Sequence, residues 1–387
     1  MKKGKILLFT TDFPPSKGGG ICTHSDFMVE SLRTLSWDFT VLSEYYIPSS
    51  KEEIDDYITE NGYNIYKLPK SPSFYTLLKK VFFCLKIYRQ YKPDIIIGTG
   101  RHPSWFAAIV SFLTRTPLVT IGHGTEFTEK TSEKDFKRNK LAYGKSDLLI
   151  AISEHTKNVV LGAGIKPKKI EVIHNAANEK NFHKIDPELI KIFIEQKGLS
   201  GKKIILTCGS LSERKGQRVI INSLPIVLKE IPNAVYVAVG FPNKKDEFLQ
   251  LAKELTIDDK VLFPGIIDQN ELLLWLNACD LFAMTSVNNK GDYEGFGIAV
   301  LEAALCGKTA LVSDNGGLKE AVINLKTGIV VKENDVTATA NALIDLFSND
   351  AKLQTLSDMA YKNTLETGTY SIKGKEYDKV LAKLIKI

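Results

Sequence analysis

Short apolar runs rich in β-branched residues alternate along the chain with longer amphipathic stretches. The runs predict strands at Lys5–Thr10, Phe39–Ser43, Asn64–Leu68, Asp94–Gly98, Leu118–Gly122, Leu148–Ser153 and Glu171–His174. A second series predicts Lys203–Cys208, Val235–Gly240, Val261–Pro264, Asp280–Met284, Thr309–Ser313 and Gly328–Val331. Runs such as IIIG and LLIAI are apolar on both faces, as parallel strands covered by helices on each side must be. Strand–helix–strand repetition predicts an α/β fold with right-handed crossovers.

The series restarts after about residue 180. Residues 183–202, HKIDPELIKIFIEQKGLSGK, are charged and read as a linker followed by a lead-in helix. The expected architecture is two Rossmann-like halves, residues 1–180 and 181–368, facing a central cleft. Residues 369–387 carry apolar positions at helical spacing and read as a helix packing back on the first half.

Length and composition fit this picture. The 387 residues allow two to three domains of ~150 residues each. Apolar residues are 44% and charged residues 25%, a globular balance with material for two cores. No apolar run approaches the ~18–20 residues that span a bilayer. The basic start MKKGKILLFT is too short in its apolar part for a signal peptide, so a cytoplasmic protein is expected. The five cysteines, Cys22, Cys84, Cys208, Cys279 and Cys306, form no CxxC pair and read as buried thiols. A net charge of +6 suits anionic substrates or an anionic membrane surface; it is too weak and too evenly spread for nucleic acid.

Candidate chemistry concentrates in YEGFGIAVLEAALCGK, where Glu294 and Glu302 stand eight apart with Gly295 and Gly297 after the first. A helix is expected to begin near Phe296. Its first amides lack intrahelical acceptors and, with the helix dipole, suit a diphosphate or sugar hydroxyls. Glu302, about two turns in, would accept two hydrogen bonds from the vicinal hydroxyls of a ribose.

The string EGFGIAVLEA closely resembles the E-x7-E motif of retaining GT-B glycosyltransferases, family four (group 1) in particular. Other segments carry the resemblance along the chain. FPPSKGGGICTH is similar to the family's glycine-rich loop after strand one, with Gly19 and Gly20 on the paired glycines and His24 on the histidine. The string is not GxGxxG, which disfavours a nicotinamide site. VTIGHGTE resembles the strand-end His-Gly element, which implies that His123 contacts the donor sugar. LLIAISEHTKNVVLGAGI places Ser153 as a plausible helix N-cap. In IEVIHNAANEKNF, Asn175 and Phe182 match the family, while Ala176 and Asn178 depart from its usual Gly and Asp.

In the second half CGSLSERKGQRVII resembles the phosphate-gripping loop. Lys215 and Gly216 fall on the family's Lys-Gly, Ser210 stands where an Arg is usual, and Arg214 is the expected substitute. VLFPGIIDQNELLLWLNACDLFAM resembles the nucleobase segment, implying backbone contacts around Gly265 and Ile266. SDNGGLKEAV resembles a Gly-Gly-Leu-x-Glu turn with Gly316, Gly317 and Glu320.

The resemblance implies a retaining transfer from a nucleotide sugar to an acceptor hydroxyl, for a cell-surface polysaccharide or glycolipid. No metal and no cofactor beyond the donor substrate are implied. Glu294 would bind the sugar hydroxyls with the amides of Gly295, Phe296, Gly297 and Ile298. Lys215 and Arg214 would neutralise the diphosphate, making Glu294, His123 and Lys215 the candidate catalytic residues. A nucleotide-sugar epimerase and a catalytically silent binding protein on the same scaffold are the competing readings. The acceptor would be a carbohydrate or a lipid-linked group. Residues 74–92, FYTLLKKVFFCLKIYRQYK, are basic and aromatic. They read as an ordinary helix with lysines snorkelling to water, or as a helix lying peripherally on the anionic inner face of the plasma membrane.

Overall fold

The structure, a computed structural model, describes residues 3–16, 19–44, 50–68, 74–128, 131–289 and 291–385. The chain divides into two compact units. Unit 1 is residues 1–176 with 370–387, and unit 2 is residues 177–369.

Unit 1 runs β1 (Gly4–Thr10), α1 (Gly20–Thr34), β2 (Trp37–Ser43), α2 (Lys51–Asn61), β3 (Asn64–Lys67), α3 (Phe74–Tyr91), β4 (Ile95–Thr99), α4 (Arg101–Thr114), β5 (Leu118–Gly122), α5 (Glu133–Gly144), β6 (Leu148–Ala151), α6 (Glu154–Gly162) and β7 (Ile170–Val172). Unit 2 continues with α7 (Pro187–Gln196), β8 (Lys203–Cys208), α8 (Gln217–Glu230), β9 (Ala234–Val239), α9 (Lys245–Glu254), β10 (Val261–Gly265), α10 (Gln269–Ala278), β11 (Leu281–Met284), α11 (Ile298–Leu305), β12 (Ala310–Ser313), β13 (Gly328–Val331), α12 (Val336–Phe347) and α13 (Asp350–Thr367). The chain then returns to unit 1 as α14 (Tyr370–Ala382), which packs on α1.

Each unit is a parallel, doubly wound sheet, of seven strands in the order β3-β2-β1-β4-β5-β6-β7 and of six in the order β10-β9-β8-β11-β12-β13. The α/β class with Rossmann-like sheets is therefore as expected. Burial explains why the strands were readable. Ile95, Ile96 and Ile97 of β4 are each fully enclosed, so both faces demand apolar side chains.

Several boundaries move for local reasons. β6 stops at Ala151 because the Ser153 hydroxyl accepts from the Thr156 amide at 3.0 Å and caps α6. The stretch 183–202 contains the expected lead-in helix, α7. Asp186 caps α7, and Phe193 meets Trp275 edge-to-face at 4.9 Å, which ties the helix into unit 2. The helix at 74–91 packs Cys84 and Ile87 into the core beside Phe106 and Val110 of α4. Lys80 does not reach water: it is buried, with its ammonium 5.4 Å from the Phe106 ring centroid. All five cysteines are buried, and none forms a disulfide among the described residues.

α14 is held through polar anchors within unit 1. Asp378 accepts from the Trp37 indole at 2.8 Å and pairs with Lys3. Tyr377 is fully enclosed against His24 and Phe27 of α1.

Candidate functional site

In unit 2 the winding of the sheet reverses between β8 and β11. The loops leaving those two strands diverge there and open a crevice at the strand ends. Arg214 and Lys215 sit on the first of these loops and Glu294 on the second, while Glu302 lies on α11 beyond it.

The loop after β8 ends in a tight turn, Glu213–Lys215, closed by Gly216 at φ +75°. Two hydrogen bonds lace this turn to the segment after β11. The Thr285 hydroxyl donates to the Gly216 carbonyl at 2.9 Å, and the Val287 amide donates to the Arg214 carbonyl at 2.8 Å. A Cβ on Gly216 would lie 1.8 Å from the Thr285 carbonyl oxygen, so only glycine permits this approach.

The lacing brings three charges together. Arg214 Nη1 donates to Glu294 Oε2 at 2.5 Å, and Lys215 Nζ donates to the same oxygen at 2.8 Å. Arg214 Nε also lies 3.4 Å from Asp292 Oδ1. Glu294 is fixed through its backbone as well. Its amide donates to Asn315 Oδ1 at 3.0 Å, and its carbonyl accepts from the Gly317 amide at 2.9 Å. Asn315 in turn donates to Glu333 at 2.8 Å. Gly316 is at φ +53°, and a Cβ there would meet the Glu294 carbonyl oxygen at 2.3 Å. In SDNGG the family resemblance singles out Gly316 and Gly317 but not Asn315. An asparagine between a strand end and a glycine pair is the signal that marks it.

Electrostatics separate the two glutamates. Burial alone would raise the Glu294 carboxyl; the Lys215 and Arg214 charges, with the bonds they donate, overcome it and hold Glu294 below its ordinary value. Glu302 has no such pair. Burial raises it to about 7, and Lys215 offsets this only in part. No described residue hydrogen-bonds to its carboxyl. Glu302 is also one turn into its helix rather than two, because Gly297, at φ +94°, delays the start of α11 to Ile298. No side chain caps that helix start, so its positive end stays uncompensated.

The remaining predicted residues of unit 2 line neighbouring strand ends. Gly209, Gly240 and Gly265 all take positive φ after β8, after β9 and at the end of β10. The Gly209 amide donates to the Val239 carbonyl at 2.9 Å, and the Gly240 amide donates to the Gly265 carbonyl at 2.8 Å. Ser210 is half-buried, and its carbonyl accepts from the Gln217 side chain at 3.1 Å. Open space surrounds a Cβ placed on Gly265, and Ile266 beside it is 61% exposed. Phe241, 44% exposed at the neighbouring strand end, was missed. A bulky apolar residue directly after the strand-closing Gly240 is its signal.

Unit 1 holds His123, His24, Gly19 and Gly20. His123 follows β5, and its Nε2 lies 2.8 Å from the Thr99 hydroxyl at the end of β4. Its amide donates to Glu126 Oε1 at 3.2 Å. The His24 ring meets the His123 ring edge-on at 5.2 Å and is hydrogen-bonded through Nε2 to the Tyr377 hydroxyl at 2.9 Å. Burial lowers both imidazoles, His24 further because His123 stands beside it, whereas Glu126 partly restores His123. Both rings are therefore neutral near pH 7. Gly19 precedes α1 in extended conformation, with open space around it and around Gly20. Asn175, Asn178 and Phe182 are buried.

The sequence matches two family models: Glycosyl transferases group 1 over residues 190–363 and Glycosyltransferase Family 4 over residues 18–180. The GDP-mannose-dependent alpha-(1-6)-phosphatidylinositol monomannoside mannosyltransferase of Mycolicibacterium smegmatis is 24% identical over 398 residues, covering 97% of this chain and 98% of that one. The glycogen synthase of Mycobacterium tuberculosis is 25% identical, covering 90% of this chain and 87% of that one. Among solved structures, Anabaena Alr3699/HepE in complex with UDP and glucose superposes with a TM-score of 0.82 at 21% identity, covering 98% and 100% of the two chains. Sucrose-phosphate synthase from Thermosynechococcus elongatus gives 0.77 at 20% identity, covering 99% of each. The fold is GT-B.

Proposed function

The chain belongs to glycosyltransferase family 4, the group 1 retaining enzymes that draw on nucleotide sugars, and from that premise we propose that it transfers a sugar to a hydroxyl of a lipid-linked or carbohydrate acceptor in cell-surface glycolipid or polysaccharide synthesis. The observation that carries the site assignment is the single Glu294 oxygen shared by Lys215 and Arg214. Two cations held at one point, beside an uncapped helix start, suit a diphosphate whose charge grows as its bond to the sugar breaks.

In this reading Lys215 and Arg214 meet the diphosphate, next to Ser210. Glu294 orients the sugar hydroxyls with the amides of Gly295, Phe296, Gly297 and Ile298. Glu302 takes the ribose hydroxyls, and Gly265 with Ile266 flanks the base. The glycosidic C1–O bond to the phosphate breaks, and the acceptor oxygen bonds to C1 on the same face. The acceptor proton passes to the leaving phosphate oxygen. His123, being neutral, exchanges hydrogen bonds with sugar hydroxyls without adding charge, and Gly19 and Gly20 leave room for the reacting groups.

The lipid-linked acceptor is favoured by a second feature. Phe82 of α3 and Phe112 of α4 are 70% and 82% exposed, and Leu78 and Leu113 are also exposed. Neither helix contains an acidic residue, while Lys79, Lys86 and Arg89 lie on α3 and Arg115 follows α4. Such a face suits an anionic membrane surface. Among the described residues no helix is long and apolar enough to cross a membrane.

A thermal-shift screen of UDP- and GDP-sugars tests the donor. The matching donor at 100 times its Kd is expected to add about 2.7 kcal/mol. Nucleotide release must then depend on added acceptor, and Glu294→Ala must abolish it. A screen with no responding nucleotide sugar, or wild-type turnover in Glu294→Ala, overturns the assignment.

A further inference from the structure

Unit 1 contains a cavity of about 410 Å3 between α1 and α2, with neither His24 nor His123 in its walls. Its polar walls are Asp26, Glu30 and Arg33 of α1, Tyr57 and Asn61 of α2, and Tyr63 just before β3. None of these residues enters the transfer site described above.

The cavity is built by helix geometry. Positions 26, 30 and 33 fall on one face of α1, while the helix buries Cys22, His24, Phe27 and Met28 on another. α2 is fixed at both ends, by a reciprocal capping box between Ser50 and Glu53 and by Gly62 at φ +67°. Phe13 buttresses both tyrosine rings edge-on, at 6.4 Å from Tyr57 and 6.1 Å from Tyr63. A hydrogen-bond chain results: Tyr63 Oη donates to Tyr57 Oη at 3.3 Å, and Tyr57 Oη donates to Asp26 Oδ1 at 3.3 Å.

Two groups in the cavity keep capacity to spare. The Arg33 guanidinium stacks 4.7 Å from the Tyr63 ring centroid, and no described residue accepts a hydrogen bond from it. Asp26 Oδ2 likewise receives none from a described residue. The walls therefore offer unspent donors, an unspent carboxylate oxygen and an aromatic face.

We propose that this cavity binds a saccharide. A sugar presents hydroxyls that each donate and accept, which a carboxylate and a guanidinium on one helix face satisfy together. The volume lies within the ~300–1,000 Å3 of small-molecule sites. Asp26 beside Arg33 disfavours a phosphate or carboxylate ligand, and polar walls exclude a lipid tail. The inference rests on the transfer reading: it makes the cavity a holding site for a glycan portion of the acceptor or product, apart from the reacting hydroxyl.

The test uses the full chain and binding alone. Maltotriose, α-1,6-mannobiose and myo-inositol are titrated with no donor present, followed by NMR shifts or calorimetry. At least one is expected to bind, and Arg33→Gln and Asp26→Asn should each weaken it about tenfold, the size expected for a lost charge-assisted hydrogen bond. Burial, with Glu30 nearby, raises Asp26 to about 6, while the Tyr57 hydroxyl lowers it in part. Glu30 and Arg33 of α1, Tyr57 of α2 and Tyr63 are the titratable groups facing it, so affinity should rise as pH passes upward through about 6. Thermal stabilisation by UDP- or GDP-sugars must be unchanged in both variants, which separates this site from the donor site. If none of the three saccharides binds, or if binding is indifferent to both substitutions, the proposal is overturned. Saccharide binding that survives alongside a failed nucleotide-sugar screen would leave the cavity standing and remove only the transfer reading.

Discussion

The strand-end clusters of the two units share a topology and differ in chemistry. Both sheets reverse their winding once, between β1 and β4 in unit 1 and between β8 and β11 in unit 2. In unit 2 the reversal gathers Arg214, Lys215, Asp292 and Glu294 into a compact ionic cluster. At the corresponding end of unit 1, His123, His24 and Thr99 form a buried set held neutral. The sheet decides where a site can form; the loop residues decide what it can bind. Two cations gathered on one carboxylate oxygen suit a diphosphate, and neutral hydrogen-bonding groups suit hydroxyls.

The sharpest way to break this comparison is to remove one member of each cluster. Lys215→Ala is expected to lower kcat by about 10²–10³, the typical loss of one preorganised charge-stabilising donor, and to weaken UDP or GDP binding as well. His123→Ala is expected to lower turnover while leaving nucleotide affinity unchanged. Steady-state kinetics paired with calorimetric titration of the free nucleotide measures both. If His123→Ala weakened the nucleotide as much as Lys215→Ala does, the division of labour between units would be lost.

The sheets were legible in sequence because buried parallel strands must be apolar throughout, and each of the thirteen strands among the described residues falls on a predicted run. Candidate site residues were legible where they cluster locally, as in the Glu294–Glu302 string. Three features were not. His24 meets Tyr377 from the far end of the chain, a pairing that no local pattern encodes. Lys80 lies buried on a ring of the next helix, where amphipathic spacing suggests a solvated lysine. The α1–α2 cavity is built from charged and aromatic positions that read, one by one, as an ordinary helix surface.

Within unit 2 the two glutamates offer a finer test. Glu294 sits below its ordinary value, so its ion pairs persist as pH falls through the usual carboxylate range. Glu302, raised to about 7, changes charge near neutrality. In the proposed reading its ionised form accepts the ribose hydroxyls, so nucleotide affinity should rise several-fold as pH increases from 6 to 8. Glu302→Gln should flatten that profile. Stability moves the other way. The folded state keeps a proton that the unfolded state releases above about 4.5, so the wild type loses stability between that value and about 7. Glu302→Gln should therefore raise Tm at pH 8 relative to wild type and change it little below pH 4.5. Calorimetry across this range reads the difference.

The smallest effect concerns how unit 1 keeps its cluster neutral. Tyr377 of α14 supplies the hydrogen bond to His24 Nε2, while His24 Nδ1 is buried without a partner. Tyr377→Phe keeps the ring that packs on Phe27 but leaves the imidazole with neither nitrogen satisfied, a cost of about 1–3 kcal/mol in urea unfolding. The sign of the pH dependence follows from burial, which lowers His24. The unfolded chain takes up a proton below about 6.5 that the folded chain refuses, so stability falls as pH drops through that value. His24→Asn in place of the tyrosine change should reduce this slope, leaving the share that the buried His123 contributes, and keep the ionic cluster's nucleotide affinity intact. A slope unchanged in His24→Asn would mean that His123 or another group sets it.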